Sequence, residues 1–446
     1  MRAKASSSRL NYSPKDSPDP RGFDVNETMS EDDPMFDDYC EIVDDFGCEA
    51  FEETFNFELQ GGEEVIDPQS SRWVRVEAKP DETIGGISTK KDVFNQIALA
   101  RQTLASLGPS ELYERQWEKF EDSTSSDDKV NGTEHSIRVM QFNVLAEGLS
   151  SSNSIKTPFS KSDGIGETQA FGGFTDIIEP AASLDFSLRR WRLVEVILGG
   201  SIKNFDSSSF DIVALEEIDR FRGFFLPILR IFGYSGIFMP KARAPGLRFG
   251  WYSDGCALFW KTNVFDIVSE RRLHYKSGNQ VILLVALRHR ASLRLILVAV
   301  THLKAQKSDK NELIRCAQVD ELLERVRNEE KRLAANGDVA TLIIGDFNSE
   351  PPCEITCGDS SVRHVLDSSL RSAYPIDPPS NDFYTTWKTR GKNTFRRVID
   401  YIFHGTGLKC KAILSVPAES EMEAAKLPGL RHPSDHMMIA AEFELD

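Results

Sequence analysis

The sequence predicts a mixed α/β fold in which two packed sheets are flanked by helices, and three observations predict it. Apolar runs of strand-like composition recur along the chain, and many end on one polar residue: Asn143, Glu217, His302, Asp346 and Asp400. Amphipathic helical stretches are interspersed among those runs instead of forming a block of their own. Extended runs also follow one another at 255–260, 280–288 and 293–301 with no helix between them. Consecutive strands of that kind pair as antiparallel meanders, whereas a purely parallel, doubly wound sheet needs a crossover after every strand.

Residues 1–75 are rich in Ser, Pro, Asp and Glu without sustained periodicity, so they read as a disordered acidic tail. Within them Phe36-Asp-Asp-Tyr39, Phe46, Phe51 and Phe55-Asn-Phe57 interleave aromatics with acids, which suits either a short segment that docks a protein partner or a solvated tail. Residues 91–121 have helical apolar spacing and a polar linker, Ser123 to His135, follows, making 90–135 a helical segment and linker. The catalytic region is expected over 137–446, starting at Ile137. Asn143 is followed by a Ser/Gly/Pro-rich insertion at about 148–183, too long for an ordinary connection and read as a surface loop or lid. Phe186–Leu198 is a helix stopped by Gly199-Gly200; the next strand reaches Glu217; Phe221–Phe232 is helical and closed by Gly233. After the three extended runs, a long amphipathic helix covers about Lys310–Ala335 and leads into Thr341-Leu-Ile-Ile-Gly-Asp346.

The formal net charge of −16 is concentrated near the N-terminus: fifteen acidic residues and no Lys or Arg lie between Glu31 and Asp67, and residues 71–446 are close to neutral. A near-neutral domain fits a single acidic nucleotide met by local Lys and Arg better than long, salt-sensitive tracking of a polyanion. Of the seven cysteines only Cys353 and Cys357 are close in sequence, which argues against a disulfide framework and for a reducing, cytoplasmic setting. No apolar run is long enough to span a membrane, and the N-terminus lacks the apolar core of a secretory signal, although its basic, Ser-rich start faintly resembles an organelle transit peptide.

Six polar strand ends converge on one edge if their strands share sheets. Glu217 at a strand tip, with Asn143 beside it, suits a hard cation such as magnesium, with manganese an alternative. In a metal-assisted phosphoester hydrolysis Asp346 would orient or deprotonate the attacking water, and Asn348 would hold it in line or donate to a phosphoryl oxygen. His302 and His436 are the candidates to donate to the phosphate, with Asp400 fixing the orientation of His436 and Asp435 adjacent to it. Lys241, Lys304 and Arg396 are the candidate phosphate-reaching cations, and Phe395 is placed to stack on adenine or to pack in its loop.

Taken in order, Asn143, Glu217, Thr301-His302, Gly345-Asp346-Phe347-Asn348, Asp400-Tyr401 and Ser434-Asp435-His436 resemble the endonuclease/exonuclease/phosphatase superfamily over residues 137–446. That resemblance implies a four-layer α/β/β/α sandwich and a magnesium-dependent phosphoesterase. Asp254-Gly-Cys-Ala-Leu-Phe259, Ala299-Val-Thr-His-Leu-Lys-Ala305 and Tyr384-Thr-Thr-Trp-Lys388 look like its nocturnin and carbon-catabolite-repression-type deadenylase branch. Gln306 stands where the nocturnin pattern has arginine, Glu216 replaces the usual glutamine before the metal glutamate, and the insertion after Leu149 is outside the shared pattern. The resemblance implies either a 3′→5′ exoribonuclease on adenylate-rich RNA ends or a phosphatase removing the 2′-phosphate of NADP(H). An adaptor without catalysis, working through the acidic tail, is the alternative from another class.

Overall fold

The computed structural model describes residues 63–66, 73–76, 84–120, 136–150, 174, 176–203, 210–242, 244, 252–352, 360–376, 383–390 and 392–445. Two large mixed sheets form the body of the molecule. The first runs, edge to edge, through Trp117–Lys119, Leu408–Leu414, Ile439–Leu445, Ser136–Asn143, Ile212–Ile218, Gly255–Lys261 and Tyr234–Pro240. The second runs through Arg371–Ser372, Asp400–His404, Val339–Asp346, Leu295–His302, Val281–His289 and Phe265–His274.

Strand alternation explains how the sheets stack. Val139, Ala214, Val285, Val298, Leu342 and Ile402 are spaced by twos along their strands with neighbours of the same kind, and they pack into one dry layer between the sheets. The intervening residues face outward and are covered by helices. On the first sheet, Met140, Phe142, Val213 and Leu215 pack under the helices Lys90–Ala105 and Phe186–Ile197. On the second, Leu284, Leu297 and Ile343 pack under Val319, Leu322 and Val326 of the helix Asp309–Leu333. The result is the expected four-layer α/β/β/α sandwich. Both long helices start on side-chain caps: Thr89 accepts from the Asp92 backbone in a capping box, and Ser308 accepts from the Asn311 backbone.

Each sheet holds one parallel pair at its centre: Ser136–Asn143 beside Ile212–Ile218, and Leu295–His302 beside Val339–Asp346. Parallel strands bring their carboxyl ends to one edge of a sheet, where α/β proteins place their sites. Register then aligns the polar ends, with Asn143 opposite Glu216, His302 opposite Asp346, and Asp346 opposite Asp400.

Several elements differ from the sequence expectation. The helix expected over 91–121 ends at Ala105, and Trp117–Lys119 is instead an edge strand paired with Leu408–Leu414, so the first sheet begins upstream of Ile137. Phe221–Phe232 is a π-helical turn, Phe221–Phe225, followed by the α-helix Leu226–Ile231 with proline in its first turn. The strand Phe265–His274 escaped notice because it is a sheet edge, charged and half exposed, without clean alternation. Glu63–Ile66 and Trp73–Val76 pair antiparallel inside the stretch expected to lack structure, while the rest of residues 1–75, the linker 123–135, and insertion residues 151–173 and 175 lie outside the described residues. No helix among the described residues is long and apolar enough to cross a membrane.

Candidate active site

The site forms where the layer between the sheets runs out of apolar residues. Along each inward-facing ladder the next residue by twos is polar: Val139 leads to Gln141 and Asn143, Ala214 to Glu216, Val300 to His302, Ile344 to Asp346, and Ile402 back to Asp400. All of these polar residues are buried. Glu217 follows Glu216 directly and would face outward in a regular strand. A bulge in the pairing with Gly255–Lys261 and a left-handed backbone, φ +54° at Glu217, turn it back to the same mouth. A non-glycine residue held there stores strain of about 1–3 kcal/mol, a cost seen most often at functional sites.

Asp346 is the hub. Its Oδ2 accepts from Asn143 Nδ2 at 3.0 Å and lies 3.6 Å from His302 Nε2 and 3.8 Å from His436 Nε2, while Oδ1 accepts from the Asn348 backbone at 2.9 Å. Asp400 Oδ2 meets His436 Nδ1 at 2.9 Å, and Asp400 Oδ1 accepts from Gln141 Nε2 at 2.8 Å. Gln141 Nε2 also donates to Glu216 Oε2 at 2.8 Å. Burial and the neighbouring Asp400 push the Asp346 carboxyl up to about 7. Burial, Asp400 and Asp346 likewise raise Glu216 well above the carboxylate range. Burial alone would lower His436, but Asp400 and Asp435 outweigh it and push the imidazole up to about 10. Burial and Lys241 hold His302 neutral. One histidine of the pair is thus cationic and one neutral.

The cations line two walls. Lys241 Nζ lies 2.7 Å from Asp254 Oδ2 and 3.4 Å from His302 Nδ1. Lys388 Nζ donates to Asp435 Oδ2 at 2.7 Å, Arg390 Nη2 reaches the same oxygen at 3.1 Å, and Lys388 Nζ is 3.5 Å from His436 Nε2. Burial would raise Asp435, but Lys388, His436 and Arg390 hold it well below the carboxylate range. Lys388 and Arg390 belong to a hairpin, Thr386–Arg390 with Asn393–Arg397, bridged to the site by the Thr386–His436 pairing. Phe395 is directly opposite Lys388 and so shares its face, half-buried, with the Arg397 guanidinium 4.6 Å from its ring.

Two candidates take other positions than expected. Arg396 pairs with Trp387 on the hairpin's opposite face, its guanidinium 4.6 Å from the Trp387 ring and 3.6 Å from Glu419, so alternation turns it away from Lys388. Asn143, beside Glu217, was expected to serve a cation there, which would take its amide oxygen toward the ion or the ion's water. Instead that oxygen accepts from Leu145 N at 3.1 Å, because the amide nitrogen turns to the acids, Glu217 Oε1 at 3.1 Å and Asp346 Oδ2. Asn348 Nδ2 is taken by the Leu303 carbonyl at 3.2 Å, and Lys304 is half-buried two residues past His302. Asn143, Glu217, His302, Asp346, Asp400, Asp435, His436 and Lys241 therefore meet in one cluster.

Sequence reasoning missed Gln141, Lys388, Arg390 and Asp254. Lys388 and Asp254 lay within motifs already singled out, and period-two spacing from Asn143 and from Thr386 was the signal available for Gln141 and Lys388. It also missed Arg189, buried in the helix Phe186–Ile197, which donates to the carbonyls of Val144 at 2.9 Å and Pro433 at 3.2 Å. That guanidinium ties the loop after Asn143 to the loop before Asp435.

The donor set fits a hard divalent cation. Glu217, Asp346 and Asp400 present carboxylate oxygens around one mouth, while Lys388 and Arg390 are engaged by Asp435 and Lys241 by Asp254. Asp346, Asp400 and His436 also place ligand atoms within 4.8 Å of one another, but the 2.9 Å contact of His436 Nδ1 with Asp400 makes that trio a carboxylate–imidazole pair first. Glu217, half-buried at the rim, is the carboxylate most open to an ion.

Comparison with known proteins came to the same region. The model of the Endonuclease/Exonuclease/phosphatase family matches residues 140–436. Nocturnin of Mus musculus is 31% identical over 323 residues, 70% of this chain and 66% of that protein. The CCR4-Not complex 3′-5′-exoribonuclease subunit Ccr4 of Debaryomyces hansenii is 22% identical, across 83% of this chain and 48% of that protein. The chain thus spans about two-thirds of the mouse relative's length. Among solved structures, the human Nocturnin catalytic domain with bound sulfate superposes with a TM-score of 0.51 at 26% identity, covering 74% of this chain and 97% of that one. ANGEL2, a 2′,3′-cyclic phosphatase, shares the fold with a TM-score of 0.54 at 20% identity, covering 75% and 99%.

Proposed function

Because the chain belongs to the Endonuclease/Exonuclease/phosphatase family, whose members are phosphoester hydrolases, we propose that it is a magnesium-dependent 3′→5′ exoribonuclease acting on adenylate-rich RNA ends. The observation that carries this reading is the hairpin face on which Phe395 stands opposite Lys388. That face joins a ring able to stack on a base to a cation beside Asp435 and His436. Glu217 at the rim would hold a hard cation, which when bound would supply Lewis-acid polarisation to the phosphoester and favour ionisation of the attacking water. Asp346, raised to about 7, is matched to accept that water's proton near neutral pH. Cationic His436, oriented by Asp400, donates from Nε2 toward charge developing on the phosphoryl group, and neutral His302 lines the opposite side. Lys241 and Lys388 flank the same space and complement the phosphate charge.

A second reading, removal of the 2′-phosphate of NADP(H), draws on the Lys241–His302 wall and on Lys304 two residues beyond, which suit a compact dianion. Turnover of oligo(A) and NADPH, side by side with magnesium, separates the two. For the nuclease, Phe395→Ala costs about 1–3 kcal/mol in kcat/KM on oligo(A), at least several-fold. Oligo(A) cleavage indifferent to Phe395→Ala, together with NADPH turnover lost in Lys304→Ala, would establish the phosphatase instead.

A further inference from the structure

We propose that Phe174, which lies in the stretch 148–183 after Asn143, is a positioning residue that fixes the Arg390 guanidinium at the phosphate-binding face and so sets the site's affinity for substrate phosphate. The Arg390 guanidinium carbon lies 4.4 Å from the Phe174 ring centre, and the two residues form an isolated antiparallel bridge. On its other side the guanidinium reaches Asp435 Oδ2 at 3.1 Å, and Asp435 adjoins His436. The arginine is thus held between an aromatic face and a carboxylate, and its planar fork suits phosphate only when that plane is fixed.

Phe174 is itself anchored. It is 6% exposed and packs with Leu145 and Leu184, with Leu149 and Ile177 alongside, in a small cluster separate from the two sheet faces and the layer between them. Leu145 ties this cluster to the catalytic end of the strand Ser136–Asn143: its backbone is left-handed, φ +58°, and its N–H donates to Asn143 Oδ1 at 3.1 Å. One aromatic residue therefore couples the loop after Asn143 to the hairpin that carries Lys388 and Arg390. The residue types specify a ring in a cation's path, where packing alone would accept any apolar side chain.

The inference rests on the proposed function only in taking a phosphate as what Arg390 meets. The test compares the full-length wild type with Phe174→Leu, Phe174→Trp, Arg390→Ala and the double variant Phe174→Leu/Arg390→Ala. KM and kcat are measured on oligo(A) with magnesium, inorganic phosphate is titrated by calorimetry, and melting curves are recorded. Phe174→Leu keeps apolar bulk and removes the π face, so KM and the phosphate Kd should rise roughly three- to tenfold with kcat within about twofold. Phe174→Trp keeps a π face and should restore both, and Phe174→Leu should add nothing once Arg390 is Ala. Wild-type affinity in Phe174→Leu, a loss in kcat alone, an equal loss in the Arg390→Ala background, or a wild type that binds no phosphate each overturns the inference. A wild type that binds phosphate but leaves oligo(A) intact refutes the nuclease reading, and the phosphate titration still decides the role of Phe174.

Discussion

Asp400→Asn changes one atom at the point where two hydrogen bonds meet. Asp400 accepts from Gln141 Nε2 through Oδ1 and from His436 Nδ1 through Oδ2, and its backbone N–H donates to Thr385 Oγ1 at 3.1 Å, so the side chain has no freedom to turn away. An asparagine must point its NH2 at one of two donors. If its oxygen keeps Gln141, the NH2 meets His436 and forces the tautomer with its proton on Nε2 and a lone pair on Nδ1. Asp400 is also the largest influence raising His436 to about 10, so losing its charge makes the imidazole neutral near neutral pH. A charge-assisted hydrogen bond and the cation it maintains together remove about 2–4 kcal/mol of transition-state stabilisation, a fall in kcat of roughly 30- to 1,000-fold. The substitution is isosteric, so the variant should still fold, with a lowered melting temperature at neutral pH because His436 loses the partner that favours its charged form. The assay is initial-rate cleavage of end-labelled oligo(A) from pH 5.5 to 9. Asp400→Asn activity within about threefold of wild type, with an unchanged pH profile, would refute the assignment of His436 as an oriented cation.

Glu217→Ala should lose activity by orders of magnitude while remaining folded, and chelation should abolish wild-type turnover reversibly; full activity in excess EDTA ends the metal assignment. Glu217→Gly should be equally inactive yet melt higher than Glu217→Ala, because glycine relieves the φ of +54°. Gly345→Ala should be strongly destabilised, by about 2–4 kcal/mol or more, since a Cβ there would sit 1.9 Å from the Thr301 carbonyl oxygen; an unchanged melting temperature would show that the paired strands can part. Asp211 is pushed up to about 6 by burial although it accepts from Arg138 N at 2.8 Å, so the folded state holds a proton that the unfolded chain releases near 3.8. Its contribution is present below pH 3.8, is lost as pH rises through 6, and leaves a cost of up to about 3 kcal/mol above that. The melting-temperature advantage of Asp211→Asn over wild type should therefore grow from pH 4 to 6 and level off above, and a gap that does not vary with pH would sink this account.

The sequence by itself determined the parts that depend on one strand at a time. Gly345-Asp346-Phe347-Asn348 shows why: a Cβ at 345 would collide with the neighbouring strand, Asp346 ends the inward ladder, and Phe347 is fully buried against Tyr401 and Phe403. Packing and chemistry there select each residue type locally, so the motif is legible without a structure. The same holds for His302, Asp400 and Asn143, each the polar end of an apolar period. Tertiary structure alone decided which way side chains face where local rules conflict. Glu217 reaches the site through a bulge that no periodicity announces, and Arg396 and Lys388 differ in role because hairpin register puts them on opposite faces. Asn143 presents nitrogen instead of oxygen because two acids from distant strands surround it. Arg189 and Phe174 acquire their places from partners hundreds of residues away, Pro433 and Arg390, which no local pattern encodes. Period and composition fix what a strand end offers; only the packing of one sheet on another fixes what it meets.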